Sequence, residues 1–335
     1  MGETPMPRMK TKRHDILIHL VLITLVALTL LPFFFVMNNS LRTNSELNRT
    51  FFGIPKSLTQ AVAFTWFKVT GQPNRIQLRI EPADPADMRR IVDIQPQKLA
   101  YSAAMAELWR ESTQGYRYSW GVLRPYMVNS FIVSIASMIG VVLVGSITAY
   151  AFSRYRFPGH RVLFFAIISF MMIPGILTLV PSFLWMKTLG LLNTRWVLIL
   201  PYIAGGQVIA IFLFKSFFDA LPQELFESAR LDGASHFRQY VHIVLPLSKQ
   251  VMAVVIVMNL LGTWNGFLWP FIVNNDSSYY VVAQGLYMMS QQQQVIANQS
   301  TMFAAYVLAS TPLLLLFVYA TKPFMAGVTS GAFKA

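Results

Sequence analysis

The chain has 335 residues, 55% of them hydrophobic and 12% charged, with no cysteine and a formal net charge of +13. A soluble domain carries about 25% charged residues, so this composition excludes an ordinary soluble enzyme and points to a membrane protein with several spans. Without cysteine there is no disulfide framework, no thiolate metal site and no cysteine nucleophile. The positive charge gathers in the N-terminal arm and in short loops, which fits membrane topology and anionic head groups rather than nucleic acid.

Residues 1–15 form a basic arm with Arg8, Lys10, Lys12 and Arg13. The apolar stretch Ile16–Met37 follows. A secretory signal core is about 7–15 residues long, and this stretch is longer, so residues 16–37 are read as a retained first span. Residues 38–126 are predicted to form an external loop with a small subdomain. Within it, "AVAFTWFKV", the turn "TGQPN" and the alternating "RIQLRIE" predict a β-hairpin over 58–81. "QKLAYSAAMAELWRES" has helical spacing through Leu99, Ala103, Ala106 and Trp109.

Residues 127–321 hold five more apolar segments: Met127–Phe152, Val162–Met186, Trp196–Phe218, Val251–Val273 and Met302–Thr321. About 20 residues of helix cross a ~30 Å hydrocarbon core. Backbone polar groups in lipid need internal partners, so the segments are expected to be helices. Pro174, Pro181, Pro201, Pro270 and Pro312 interrupt them. Both ordinary membrane-helix composition and bent helices around a pathway account for such prolines. The expected fold class is therefore an all-α polytopic membrane protein of six transmembrane helices with a small extracytoplasmic insertion, closed by a tail over 322–335.

Lys and Arg in short loops set the orientation. Arg154, Arg156 and Arg161 lie between the second and third spans, and Arg230, Arg238 and Lys249 between the fourth and fifth. Residues 274–301 contain no Lys or Arg. The N-terminus, the connection 219–250 and the C-terminal tail are thus predicted to be cytoplasmic. The loop 38–126 is predicted to lie outside, because loops beyond about 60 residues escape the rule.

The connection 219–250 contains "ELFESARLDGASHFRQYVHIVLPLSKQ". Pro222 suits a first helical turn, where its missing N–H would be unpaired anyway. Gln223, Glu224 and Glu227 put acceptors and negative charge at that N-terminus. Leu221, Leu225 and Ala229 make a narrow apolar stripe. Gly233 is predicted to stop the helix in the left-handed conformation, and Ser235 to cap a second one. That second helix carries Phe237, Tyr240, Val241 and Val244 on one face, and Pro246 is predicted to end it. Two short amphipathic helices around a small-residue turn could rest on head groups or dock on a partner. The acidic Glu224, Glu227 and Asp232 favour docking, since they sit poorly against anionic lipid.

On these residues the chain resembles the permease subunits of binding-protein-dependent ABC importers. Their loop reads E-A-A-x-x-x-G, nine residues, then I-x-L-P. Here Glu227, Ser228 and Ala229 are followed by Gly233, Ile243, Leu245 and Pro246 at matching spacing, with Ser228 as the one departure. "LDGAS", which includes Asp232 and Ala234, resembles the sugar-importer branch. "NSFIVS" from Asn129, "AYAFSRYRFPG" from Ala149, "TWNGFLWPFIV" from Thr263 and the ending "FMAGVTSGAFKA" resemble maltose-type G-subunit permeases.

The resemblance implies the type I ABC importer permease fold in a bacterial inner membrane. It implies two separate ATPase subunits that carry ATP and magnesium, a second homologous permease, and an extracytoplasmic solute-binding protein. It also implies that the connection docks in a groove of the ATPase, with Glu227 pairing a basic group there and Gly233 permitting the turn. A bulkier residue at Gly233 would force the loop off its seat. Gly327, Gly331 and Lys334 of the tail match the family's ending and are candidate ATPase contacts. Consistent with that division of labour, no G-x-x-x-x-G-K-[ST] phosphate loop occurs in the chain.

The implied cargo is a carbohydrate: an oligosaccharide, disaccharide or polyol. Gln207, Asn259, Trp264 and Asn265 are candidates for its path, because a sugar needs hydrogen bonds and aromatic faces. Trp269 offers the same chemistry or an interfacial anchor, and Asn259 could instead bond a neighbouring helix. The alternative is a secondary transporter or channel working alone. No carboxylate lies within a span, which weighs against a proton-coupled carrier. The five histidines lack zinc spacing, which weighs against a membrane enzyme.

Overall fold

The computed structural model describes residues 13–50, 52–70, 101–292 and 299–332, and every regular element among them is helical. In chain order these are α1 (Arg13–Ser40), α2 (Asn44–Arg49), α3 (Lys56–Thr70) and α4 (Tyr101–Arg154). Then come α5 (His160–Ser169), a 3-10 turn Phe170–Met172, α6 (Gly175–Thr188), α7 (Trp196–Asp219) and α8 (Glu224–Leu231). The chain continues as α9 (His236–Gln239), a π-helical turn Tyr240–Val244, α10 (Leu245–Leu247), α11 (Lys249–Trp264) and α12 (Leu268–Val273). After a 3-10 turn at Ser277–Tyr279 it closes with α13 (Val282–Ser290) and α14 (Gln299–Ala332). Two compact units result. One holds Met1–Ser119 with Gln293–Val307, the other Trp120–Gln292 with Leu308–Ala335.

In the first unit, α1 exposes apolar side chains from Ile16 to Phe34, as a lipid-facing span does. Its exit is tied by a buried guanidinium. Arg42 donates to Asn39 Oδ1 at 2.8 Å, to the Glu46 carbonyl at 2.8 Å and to the Thr50 carbonyl at 2.6 Å. Its Nε lies 3.8 Å from the Glu46 carboxylate. A buried charge requires such pairing and hydrogen bonding. Burial holds the Glu46 carboxyl above its ordinary range, against the lowering effect of the Lys56 amide and of the Lys56 and Arg42 charges.

The hairpin predicted over 58–81 is not formed: Lys56–Thr70 is helix. Its aromatic and β-branched residues favour strand, but Leu58, Val62, Trp66 and Val69 recur with helical spacing, and that period prevails. Residues 71–81 lie outside the described ones. The helix expected around Trp109 is present from Tyr101, but no break separates it from the second span. Both belong to the 54-residue α4, which runs through Pro125.

In the second unit, two expected spans are broken. Val162–Met186 becomes α5 and α6, with 102° between their segments. The cause is local, because Ile173 precedes Pro174 and adopts an extended conformation (φ −82°, ψ 117°). Val251–Val273 becomes α11 and α12, interrupted at 265–267. Among the described residues of the whole chain, four helices are long and apolar enough to cross a membrane, or up to six if each bent pair is one span.

Small residues bring α4 and α7 together. A Cβ added at Gly140 would lie 2.4 Å from the Ile203 side chain, and one at Gly206 would lie 2.6 Å from that of Val141. Membrane helices pack by such close approach, since lipid provides no hydrophobic drive between them. Val141, Phe214, Phe218 and Val255 form the buried seam of α4, α7 and α11.

Candidate functional site

The connection between α7 and α11 folds as an elbow. In α8, Gln223 Nε2 donates to Glu227 Oε1 at 2.9 Å, and Glu224 and Glu227 occupy the first turn, where the helix dipole favours negative charge. Ser228 Oγ donates to the Glu224 carbonyl. The helix stops at Gly233, whose φ is +74°. The Ala234 N–H donates to the Ala229 carbonyl at 2.8 Å and the Gly233 N–H to that of Arg230 at 3.0 Å, the bonding of a left-handed C-cap. A Cβ at Gly233 would meet no atom within 4 Å. Within this chain the requirement for glycine is therefore a backbone angle, not space.

Ser235 caps the second arm, its Oγ accepting the Arg238 N–H at 3.4 Å. Pro246 does not end this arm. The π-helical turn Tyr240–Val244 precedes it and re-spaces the hydrogen-bond ladder around the missing proline N–H. The arm runs to Leu247, and the chain bends by 76° into α11.

The predicted stripe Leu221, Leu225 and Ala229 is not the buried face of α8. Phe226 is, at 2% exposure, while Leu225 is exposed. The reason lies at the end of α4, where the Arg154 guanidinium sits 3.6 Å from the Phe226 ring centroid and donates to the Phe218 carbonyl at 2.5 Å. Three further ties join α4 and the residue after it to the elbow. Tyr150 OH donates to the His236 carbonyl at 3.2 Å, the Tyr155 ring lies 4.5 Å from that of His236, and Ser146 Oγ and Tyr240 OH are 2.7 Å apart. Phe226, Tyr240 and Val244 thereby join the same buried cluster as Val141, Phe214 and Phe218 of the spans, with Ile243 and Leu245 packed against it. On the other side Leu231 is 90% exposed and Phe237 75%, beside exposed Glu224, Glu227 and Asp232. The exposed part of the elbow thus carries two large apolar side chains together with charges of both signs, Arg230 and Arg238 being exposed as well.

A second hydrogen-bonded feature follows α12. Asn129 Nδ2 donates to the carbonyls of Ser278 and Tyr280 at 2.8 and 3.0 Å, while its Oδ1 accepts from Arg195 Nη2 at 2.9 Å. Asn193, in the left-handed region at φ 55°, accepts the N–H groups of Asn275 and Asp276. The Ser278 amide holds the exposed Asp276 carboxyl below its ordinary value, so Asn275–Ser278 is an exposed, charged platform. Asn129→Ala removes the bonds to the Ser278 and Tyr280 carbonyls and the acceptor of the exposed Arg195 guanidinium. The expected loss is about 1–3 kcal/mol of local stability, read as faster amide hydrogen exchange confined to the segment after α12.

Of the residues proposed for a cargo path, two share a distinctive state. Both amide atoms of Gln207, and Asn259 Oδ1, are buried without a hydrogen-bond partner from the chain. Asn259 lines a cavity of ≈ 300 Å³ with Tyr202, Gly206, Gly262 and Thr263. The others are engaged differently. Trp264 is buried, with Nε1 donating to the Ala309 carbonyl at 3.1 Å and its ring 4.9 Å from that of Phe131. Trp269 Nε1 donates to the Val197 carbonyl at 3.0 Å, and the exposed Asn265 bonds back to the Leu261 carbonyl. Gly327 and Gly331 fall on α14, and Lys334 lies outside the described residues.

Sequence reasoning used Arg154 only to set the orientation, and did not single out Phe226, Tyr150, Asn193 or Arg195. Arg154 and Tyr150 stand inside the quoted "AYAFSRYRFPG", but spacing along a helix does not say which neighbour a side chain meets.

The family described as "Binding-protein-dependent transport system inner membrane component" matches residues 141–324, more than half of the chain. The chain is 32% identical to the diacetylchitobiose uptake system permease protein NgcG of Streptomyces coelicolor, over 69% of this chain and 76% of that protein. It is 34% identical to the galactooligosaccharides transport system permease protein GanQ of Bacillus subtilis, over 62% and 74% respectively. A crystal structure of a bacterial ABC transporter that imports the acidic polysaccharide alginate superposes with a TM-score of 0.66 at 17% identity, covering 95% of this chain and 99% of that one, so the fold is shared. Helices that fit a bilayer, an elbow with the family's spacing and matches of this extent lead to one statement: the chain belongs to the binding-protein-dependent transport system inner membrane components and is a multi-pass permease of that family.

Proposed function

We propose that this permease is one half of the translocation pathway of an ATP-driven ABC importer for a carbohydrate, an oligosaccharide, disaccharide or polyol. A soluble binding protein delivers the cargo, a second homologous permease supplies the other half, and two ATPase subunits hydrolyse magnesium–ATP. The N-terminus, elbow and C-terminal tail face the cytoplasm, where the density of Lys and Arg in the short loops puts them. The observation that carries this reading is the elbow itself. One face of it is sewn into the core of the spans, while Leu231 and Phe237 are left bare among exposed charged residues. Such a body moves with the spans when something grips it.

Glu227 is the residue expected to meet a basic group of the ATPase, and Gly327, Gly331 and Lys334 are candidates for a second contact with it. On the opposite side the platform Asn275–Ser278 suits a soluble receptor. The names of the relatives support a carbohydrate cargo, and the unpaired Gln207 carboxamide and Asn259 Oδ1 support a path that offers hydrogen bonds to hydroxyl groups. The engaged indole of Trp264 and the back-bonded Asn265 favour structural duties for those two.

The test is uptake in proteoliposomes holding the chain with its co-purifying subunits. Wild type is expected to transport only with ATP inside, and Glu227→Ala to release the ATPase and abolish uptake while the permease stays folded. Transport by the chain alone without nucleotide would establish the standalone carrier instead.

A further inference from the structure

The exit of the first span folds back on itself. Asn38 Nδ2 donates to the Gly53 carbonyl at 2.7 Å, and the Phe35 and Phe52 rings meet edge to face at 5.4 Å. Glu46 Oε2 accepts the Lys56 N–H at 3.3 Å, and Pro55 is buried. The entry to α3 is thus held beside the last turns of α1. Since the apolar stretch of α1 ends at Met37, that entry lies at the boundary between hydrocarbon and head groups.

From there α3 carries Leu58, Val62, Trp66 and Val69 on one face, at 54%, 66%, 65% and 79% exposure. Four large apolar side chains left open on a 15-residue helix call for a covering surface. Two observations say which. The exposed Phe52, just ahead of α3, meets Phe35 of α1 edge to face, which sets the start of α3 beside a span whose exposed apolar side chains a bilayer already has to cover. And α3 contains no Asp or Glu while carrying Lys56 and Lys68, the charge balance that anionic head groups attract. A tryptophan on such a face has its apolar body and its N–H placed for the interface.

We propose that α3 is a membrane-surface anchor, lying in the head-group layer of an anionic phospholipid bilayer at the end of the first span remote from the N-terminus. Leu58, Val62, Trp66 and Val69 enter the acyl boundary, and Lys56 stays among phosphates.

The cysteine-free sequence makes the test direct. Single substitutions Leu58→Cys, Val62→Cys, Trp66→Cys and Val69→Cys, with Lys56→Cys and Thr70→Cys as flanking controls, are spin-labelled. The full chain is placed in nanodiscs of phosphatidylcholine and phosphatidylglycerol. Power saturation then compares collision with oxygen, which concentrates in acyl chains, and with an aqueous nickel chelate. The oxygen-to-nickel ratio is expected to be severalfold higher at the four face positions than at the two controls. Equal nickel access at all six positions would overturn the proposal, since the helix would then stand in water. So would shielding of the four from both reagents, since protein would then cover them. Neither outcome depends on transport.

Discussion

Gly233→Val is expected to stop uptake, whereas Gly233→Asn keeps most of it. A residue with a Cβ in the left-handed region costs about 1–2 kcal/mol, and a β-branched one stands at the upper end or beyond. A cost of about 2 kcal/mol lowers the population of the observed turn roughly thirtyfold. Asparagine visits that region readily, so its penalty is small. The contrast isolates the cause, because a Cβ at this point has open space within the chain. Uptake and retention of the ATPase in the purified assembly are the two measurements. Equal loss for both variants would show that the partner's groove excludes any side chain here, and the backbone angle would not be the deciding factor.

Phe226→Ala is expected to weaken both the fold and the link between elbow and spans. Truncating a fully buried phenylalanine costs about 3–5 kcal/mol, through lost apolar burial and the cavity left behind. Here the Arg154 guanidinium also loses the ring it covers. Thermal unfolding in detergent should shift to lower temperature, and uptake should fall with it. Phe226→Leu, closer in volume, is expected to recover most of both. An alanine variant with unchanged stability would mean that Phe226 does not seat the elbow.

The helical class, the apolar segments and the position of the elbow were legible in the residues, because each follows from short-range rules. Apolar length sets what can cross a bilayer, and glycine and serine at Gly233 and Ser235 set where the elbow turns and restarts. The same rules misjudged Lys56–Thr70, where strand-favouring side chains sit at helical spacing. They also misjudged Pro246, since a wide turn one step earlier keeps the arm helical past it.

What the residues alone determined is thus a membrane-embedded chain of helical spans with an elbow that turns at Gly233, in a fixed place along the sequence. Only the tertiary structure decided which side of that elbow is buried. Leu225 and Phe226 are neighbours in sequence and equally apolar, and the choice between them rests on Arg154, Phe218 and Tyr150, residues from elsewhere in the chain. The same holds inside the spans, where Trp264 is satisfied by the distant Ala309 carbonyl while the Gln207 carboxamide and Asn259 Oδ1 are left unpaired. A polar side chain in a span must find a partner or go without, and the partner's position is a property of packing that no local pattern carries.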